Sequence, residues 1–217
     1  MSSLSDDLVT VVLERFGLDR VPAADRAGLD ALYAAWCRSV PFDNAQKRIS
    51  IAEEHDHLSG GTAPEFFRNY LAHGTGGMCW PTSNALLELA RHLGFDARAA
   101  VCSMMYPARY PGHATILVRV DGEDLMADTS MLTGRVLPLR RGEPTAIDDT
   151  LHPMHAVPNG DLWIVWWANY ARPDQIPCVF LEDRVSGDEL TRRYEGTRTT
   201  ELGFNIARVP DDLACPL

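Results

Sequence analysis

Positive charge is scarce in this sequence: 20 Lys and Arg stand against 30 Asp and Glu, a formal charge of −10. That balance argues against a nucleic-acid partner, which needs a broad basic face, but an anionic co-substrate needs only a local Arg or Lys. Long apolar runs are also missing. None approaches the roughly 18 residues of a membrane-spanning helix, and the longest, Leu162 to Ala168, reads as a buried strand. The first residues, Met1 to Asp7, are acidic and lack the apolar core of a secretion signal. Five cysteines show neither a CxxC pair nor any regular spacing, which fits reduced thiols better than a disulfide framework. Internal repeats and low-complexity tracts are absent. The expectation is a soluble, cytoplasmic chain of one or two compact domains.

What is present concentrates around residues 74–94. Gly74, Gly76 and Gly77 form a glycine-rich turn, followed by Met78, Cys79, Trp80 and Pro81. Pro81 suits a first helical turn, where a missing N–H costs nothing. Leu86, Leu87, Leu89, Ala90 and Leu93 recur at helical spacing, and Gly94 stands where a helix-ending glycine belongs. Cys79 is thus expected at the positive end of a helix, where unpaired N–H groups and the dipole favour a thiolate. Gly76 and Gly77 permit close backbone approach, and N–H groups from Gly77 to Trp80 are candidates for holding an oxyanion. The same stretch also suits a small buried cysteine in a turn.

Downstream, residues 112–120 read as a strand, Asp121-Gly122 as a hairpin turn, and Glu123 to Asp128 as the returning strand. A two-residue loop pairs Val120 with Glu123, so paired positions sum to 243. Asp128 then faces Thr115, which shares a sheet face with His113. The carboxylate becomes a diagonal neighbour of the imidazole, within hydrogen-bonding reach. Cys79, His113 and Asp128 can therefore serve as nucleophile, base and orienting acid.

The rest of the chain divides by pattern. Helices are expected after Ser5, over Asp25 to Arg38, over residues 64–73 and from Cys79. From Phe95 the period changes to two, with strands over Ala97 to Met105, the His113 hairpin, Arg135 to Leu139 and Gly160 to Ala168. The fold class is α+β: an N-terminal helical bundle packed on an antiparallel β-barrel or sheet. The expected units are residues 1–94 (helical), 95–182 (β-rich) and 183–217. Thr145 to Asn159 reads as a loop whose His152 and His155 are weaker rivals of His113. Residues 53–57 place His55 and His57 among acids, but no third ligand cluster follows, so a solvated polar loop is expected rather than a metal site. Phe42, Tyr106 and Tyr110 are candidate substrate-pocket walls, and Asp43 and Asn44 are candidates to tether the glycine turn.

Gly76-Gly77-Met78-Cys79, the later His113, Asp128 and Val40-Pro41-Phe42-Asp43-Asn44 together resemble the arylamine N-acetyltransferases. The resemblance spans roughly residues 5–210, and Asp188 to Asn205, with Tyr194, Thr197 and Phe204, loosely resembles that family's interdomain segment. It implies a cysteine-protease-like (transglutaminase-like) core and a Cys79–His113–Asp128 triad. It also implies acyl transfer from acetyl-CoA to an arylamine or hydrazine through a Cys79 thioester, with no permanently bound cofactor. Amide synthases of natural-product pathways belong to the same family and take larger acyl groups from carrier-protein thioesters. The pattern departs at Thr75, where the family has Arg, and at Pro81 and Ser83, where it has Glu and Asn. Most of its C-terminal third domain has no counterpart here, which is expected to open the cleft toward a bulkier or carrier-bound donor. A cysteine hydrolase or transglutaminase-like peptidase uses the same residue order, with water in place of the amine.

Overall fold

The computed structural model describes residues 4–150, 152–169, 172–200 and 206–207. Among them, helices α1 (Asp6–Arg15), α2 (Arg26–Ser39), α3 (Ala45–Ala52), α4 (Ala63–His73) and α5 (Cys79–His92) precede the main sheet, and α6 (Gly187–Gly196) follows it. The predicted starts are where the capping chemistry puts them. Ser5 accepts the Leu8 N–H and Asp25 accepts the Gly28 N–H, each filling an orphan donor of a first turn. Aromatic rings of α2 and α4 fill the helical layer. Trp36 stacks on Phe66 at 5.9 Å between centroids and meets Phe67 edge-on at 6.1 Å.

The main sheet comprises β2 (Asp96–Ser103), β3 (His113–Val120), β4 (Glu123–Ala127), β5 (Leu137–Leu139), β6 (Thr145–Ile147), β7 (Met154–Asn159), β8 (Leu162–Asn169) and β9 (Arg172–Val185). They run in the order β5-β4-β3-β2-β9-β8-β7-β6, every neighbour antiparallel. The two ends of this row meet, the Thr145 hydroxyl donating to the Pro138 carbonyl, so the sheet curls into a nearly closed barrel. Buried ion pairing clamps the strands near the hairpin. Arg98 on β2 donates to Asp124 on β4 at 2.9 Å, and Asp124 also accepts from Arg119 on β3 at 3.2 Å.

Alternating strand direction decides where chemistry is possible. The C-terminal ends of β2, β4, β6 and β8 share one rim with the N-terminal ends of β3, β5, β7 and β9. His113 opens β3 and Asp128 follows β4, so both lie on that rim. Helix α5 packs against β2 and β3 on one side and against α4 and α6 on the other. This enclosure buries Thr82, Ser83 and Asn84 as well as the apolar face. A second, two-stranded sheet pairs β1 (Phe42–Asp43) with β10 (Ile206–Ala207).

Several elements differ from the sequence expectation. Residues 145–159 hold strands β6 and β7 instead of a loop. Met154 and Ala156 point inward at period two while His155 is only half-buried, a strand pattern partly concealed by Pro153 and Pro158. Helix α3 and the 14-residue strand β9 were not anticipated, and β9 runs through position 183 to Val185. Phe204 and Cys215 lie outside the described residues. No helix among the described residues is long and apolar enough to cross a membrane.

Candidate active site

The turn before Cys79 is built around Asp43. Its Oδ2 accepts the Gly76 N–H at 2.7 Å, its Oδ1 accepts the Ala45 N–H at 2.9 Å, and its own N–H donates to the Gly77 carbonyl at 3.2 Å. A side chain on Gly76 would place its Cβ 1.7 Å from the Pro41 carbonyl oxygen. Glycine there is a packing requirement, independent of backbone angles. The Thr75 hydroxyl, where the resembled family has Arg, accepts from Gln46 at 3.1 Å.

Cys79 follows as the first residue of α5, and the N–H groups of Cys79 and Trp80 have no intrahelical acceptor there. Its Sγ lies 3.8 Å from the carbonyl oxygen of Gly112, which immediately precedes His113. The hairpin has the expected register, with Val120 opposite Glu123 and Ile116 opposite Ala127, each pair summing to 243. His113 Nε2 and Asp128 Oδ2 are 2.7 Å apart, so the carboxylate engages one ring nitrogen and not Nδ1. Asp128 Oδ1 accepts two backbone N–H groups, from Ser130 at 2.9 Å and Met131 at 3.0 Å. Cys79, His113 and Asp128 are 6%, 4% and 2% exposed, so the three groups interact largely out of water.

No protein-family model matches the chain and no curated sequence matches it; the likeness to known proteins is structural. An arylamine N-acetyltransferase from Mycobacterium smegmatis, a cysteine-to-glutamine variant, superposes with a TM-score of 0.76 at 21% identity, covering 92% of this chain and 76% of that one. The Mycobacterium marinum arylamine N-acetyltransferase in complex with CoA gives 0.76 at 17% identity, covering 94% and 78%. A Bacillus cereus arylamine N-acetyltransferase described as having a Cys-His-Glu triad gives 0.71 at 14%, covering 91% and 78%. The fold is that of the arylamine N-acetyltransferases.

Within this arylamine N-acetyltransferase fold, the other candidate residues divide. Gly77 and Trp80 flank the thiol, and Phe42 joins them through a backbone bridge to Gly77. Tyr110 lies against Gly112, its ring 2.8 Å from where a Cβ would stand. Tyr106 instead leans on Trp166 at 5.7 Å, and both tyrosines are about 60% exposed. His155 lies on β7 and His152 just before it, four strands from β3 in the sheet order. His55 and His57 pair with Glu53 and Glu65 on the surface. A cavity of about 750 Å³ between α2 and β5–β6 contains no residue of the site.

Sequence reading missed Tyr33. It falls inside the helix expected over Asp25 to Arg38, and its hydroxyl donates to the Asp128 carbonyl at 2.6 Å across 95 positions. The one available signal was chemical: a buried phenol requires a partner.

Burial alone would push the His113 imidazolium down. The Asp128 charge and hydrogen bond outweigh burial and hold its pKa well above the usual histidine range. Burial likewise opposes the Asp128 carboxylate, but His113 and the two backbone N–H groups keep its pKa below the ordinary value. The signs give a pH window. A raised histidine stabilises fully below its unfolded value of about 6.5 and loses that contribution as pH rises through its folded value. A depressed aspartate stabilises above about 4 and loses that contribution as pH falls through its folded value. The pair is therefore expected to stabilise the fold most between about pH 4 and 6.5. Urea midpoints from pH 3 to 9 should show a wild-type advantage over His113→Gln that is largest in that window. A constant difference across the range would contradict the assignment.

Proposed function

We propose that this protein is an N-acyltransferase of the arylamine N-acetyltransferase type, working by a ping-pong route. The observation carrying this reading is the 2.7 Å His113–Asp128 contact on the rim where the Cys79 helix begins. His113 Nδ1 holds the Cys79 proton in a thiolate–imidazolium pair, and Sγ attacks the carbonyl carbon of an acyl thioester. The N–H groups of Gly77, Cys79 and Trp80 stabilise the oxyanion, and the donor thiolate leaves with the proton from His113. An amine then attacks the Cys79 thioester, His113 accepts its proton, and the amide departs as the thiol re-forms. The CoA-bound neighbour favours acetyl-CoA or another acyl-CoA as co-substrate. The acceptor is a small amine such as an arylamine or hydrazine, with Phe42 and Tyr110 beside it.

Intact-mass spectrometry of wild type and Cys79→Ala with acetyl-CoA and longer acyl-CoAs tests this. One acyl group added to wild type alone, and discharged faster by an arylamine than by buffer, is the expected result. Discharge by water at the same rate would make the protein a cysteine hydrolase. An adduct formed only from an acyl carrier protein thioester would assign it to the amide synthases.

A further inference from the structure

Three side chains outside the triad, Thr82, Ser83 and Thr129, form one hydroxyl cluster beneath it, each at most 1% exposed. Thr82 Oγ1 lies 2.7 Å from the Met78 carbonyl oxygen and 2.7 Å from Thr129 Oγ1. Ser83 Oγ lies 3.0 Å from the Ala114 carbonyl oxygen and 3.3 Å from Thr129 Oγ1. Counting protons orients the network. Each hydroxyl has one hydrogen to donate, and a carbonyl can only accept. Thr82 gives its hydrogen to Met78 and Ser83 gives its own to Ala114, so Thr129 is the donor to Thr82.

The backbone neighbours of this cluster are specific. Met78 precedes Cys79, Ala114 follows His113, and Thr129 follows Asp128. A threonine bonding back to its own helix is a common way to satisfy a buried hydroxyl. That purpose requires nothing from Thr129, which comes from the barrel 47 positions away. Thr82 and Ser83 lie three and four residues after Cys79, on the same helical face.

We propose that Thr129, acting through Thr82, is a positioning residue that holds the start of α5 at the distance the His113–Asp128 pair requires. Its role depends on Cys79 being the nucleophile assigned above, but the test needs no thioester. The Cys79-specific rate of iodoacetamide alkylation, with the Cys79→Ala rate subtracted, is measured from pH 5 to 10 on the whole protein, alongside melting temperature. Thr129→Val, which keeps the shape and removes the hydroxyl, should slow alkylation at pH 7 about tenfold and move the pH profile upward. Thr129→Ser should restore the wild-type profile. An unshifted profile in Thr129→Val, whatever its melting temperature, would show a purely structural role and overturn the proposal. Should that variant not fold, Thr82→Val, which removes the hydroxyl that accepts from Thr129, is expected to shift the profile in the same direction, and no shift there overturns it equally. If wild type forms no adduct with any thioester, acyl transfer is refuted while the alkylation profiles still decide the role of Thr129.

Discussion

Asp128→Asn is expected to lower acyl transfer by about four orders of magnitude without unfolding the protein. The asparagine has one orientation that fits. The position of Oδ1 receives two N–H groups, from Ser130 and Met131, so the amide oxygen must stand there. The amide nitrogen then faces His113 Nε2 and donates to it. An imidazole that accepts at Nε2 carries its hydrogen on Nδ1, the nitrogen needed to take the Cys79 proton. The side-chain volume is unchanged and both backbone bonds survive, so the barrel should keep its circular dichroism spectrum. Rapid-quench acylation with the donor identified by mass spectrometry reads the effect. A rate within tenfold of wild type, in a folded variant, would show that His113 does not depend on Asp128 for its tautomer.

The second large effect is structural. Gly76→Ala is expected to cost about 3 kcal/mol or more of folding stability and to abolish acylation. The added Cβ would stand 1.7 Å from the Pro41 oxygen, a backbone atom with no rotamer to escape through. Relieving that overlap separates Pro41 from the turn and draws the Gly76 N–H away from Asp43, the bond that positions the entry to α5. Gly142→Ala, with nothing within 4 Å of the new carbon, is the control and should change stability by less than about 0.5 kcal/mol. Urea unfolding of the two variants measures both. Equal stabilities would mean that the turn accommodates a side chain without loss.

Local chemistry was the legible part of this protein. The caps at Ser5 and Asp25, the glycine turn and Pro81 in the first turn of α5 depend on residues within a few positions of one another. The 243 register of the His113 hairpin does too, because side-chain alternation converts sequence spacing into a shared face. The His113–Asp128 contact follows from that register and the two-residue turn alone. Strands β6 and β7 escaped because prolines and histidines interrupt a short alternation that gains its stability from Trp166, Trp167 and the other residues of β8.

What the chain's own pattern determined was therefore the helix that Cys79 opens, the hairpin and the face on which an imidazole meets a carboxylate. Tertiary structure alone decided the rest: the rim that brings Gly112 to Cys79, the Tyr33 bond to the Asp128 carbonyl, and the cluster of Thr82, Ser83 and Thr129. These contacts join residues 31 to 95 positions apart. No period or cap encodes such a distance, and they form only when the barrel closes and α5 is buried against it.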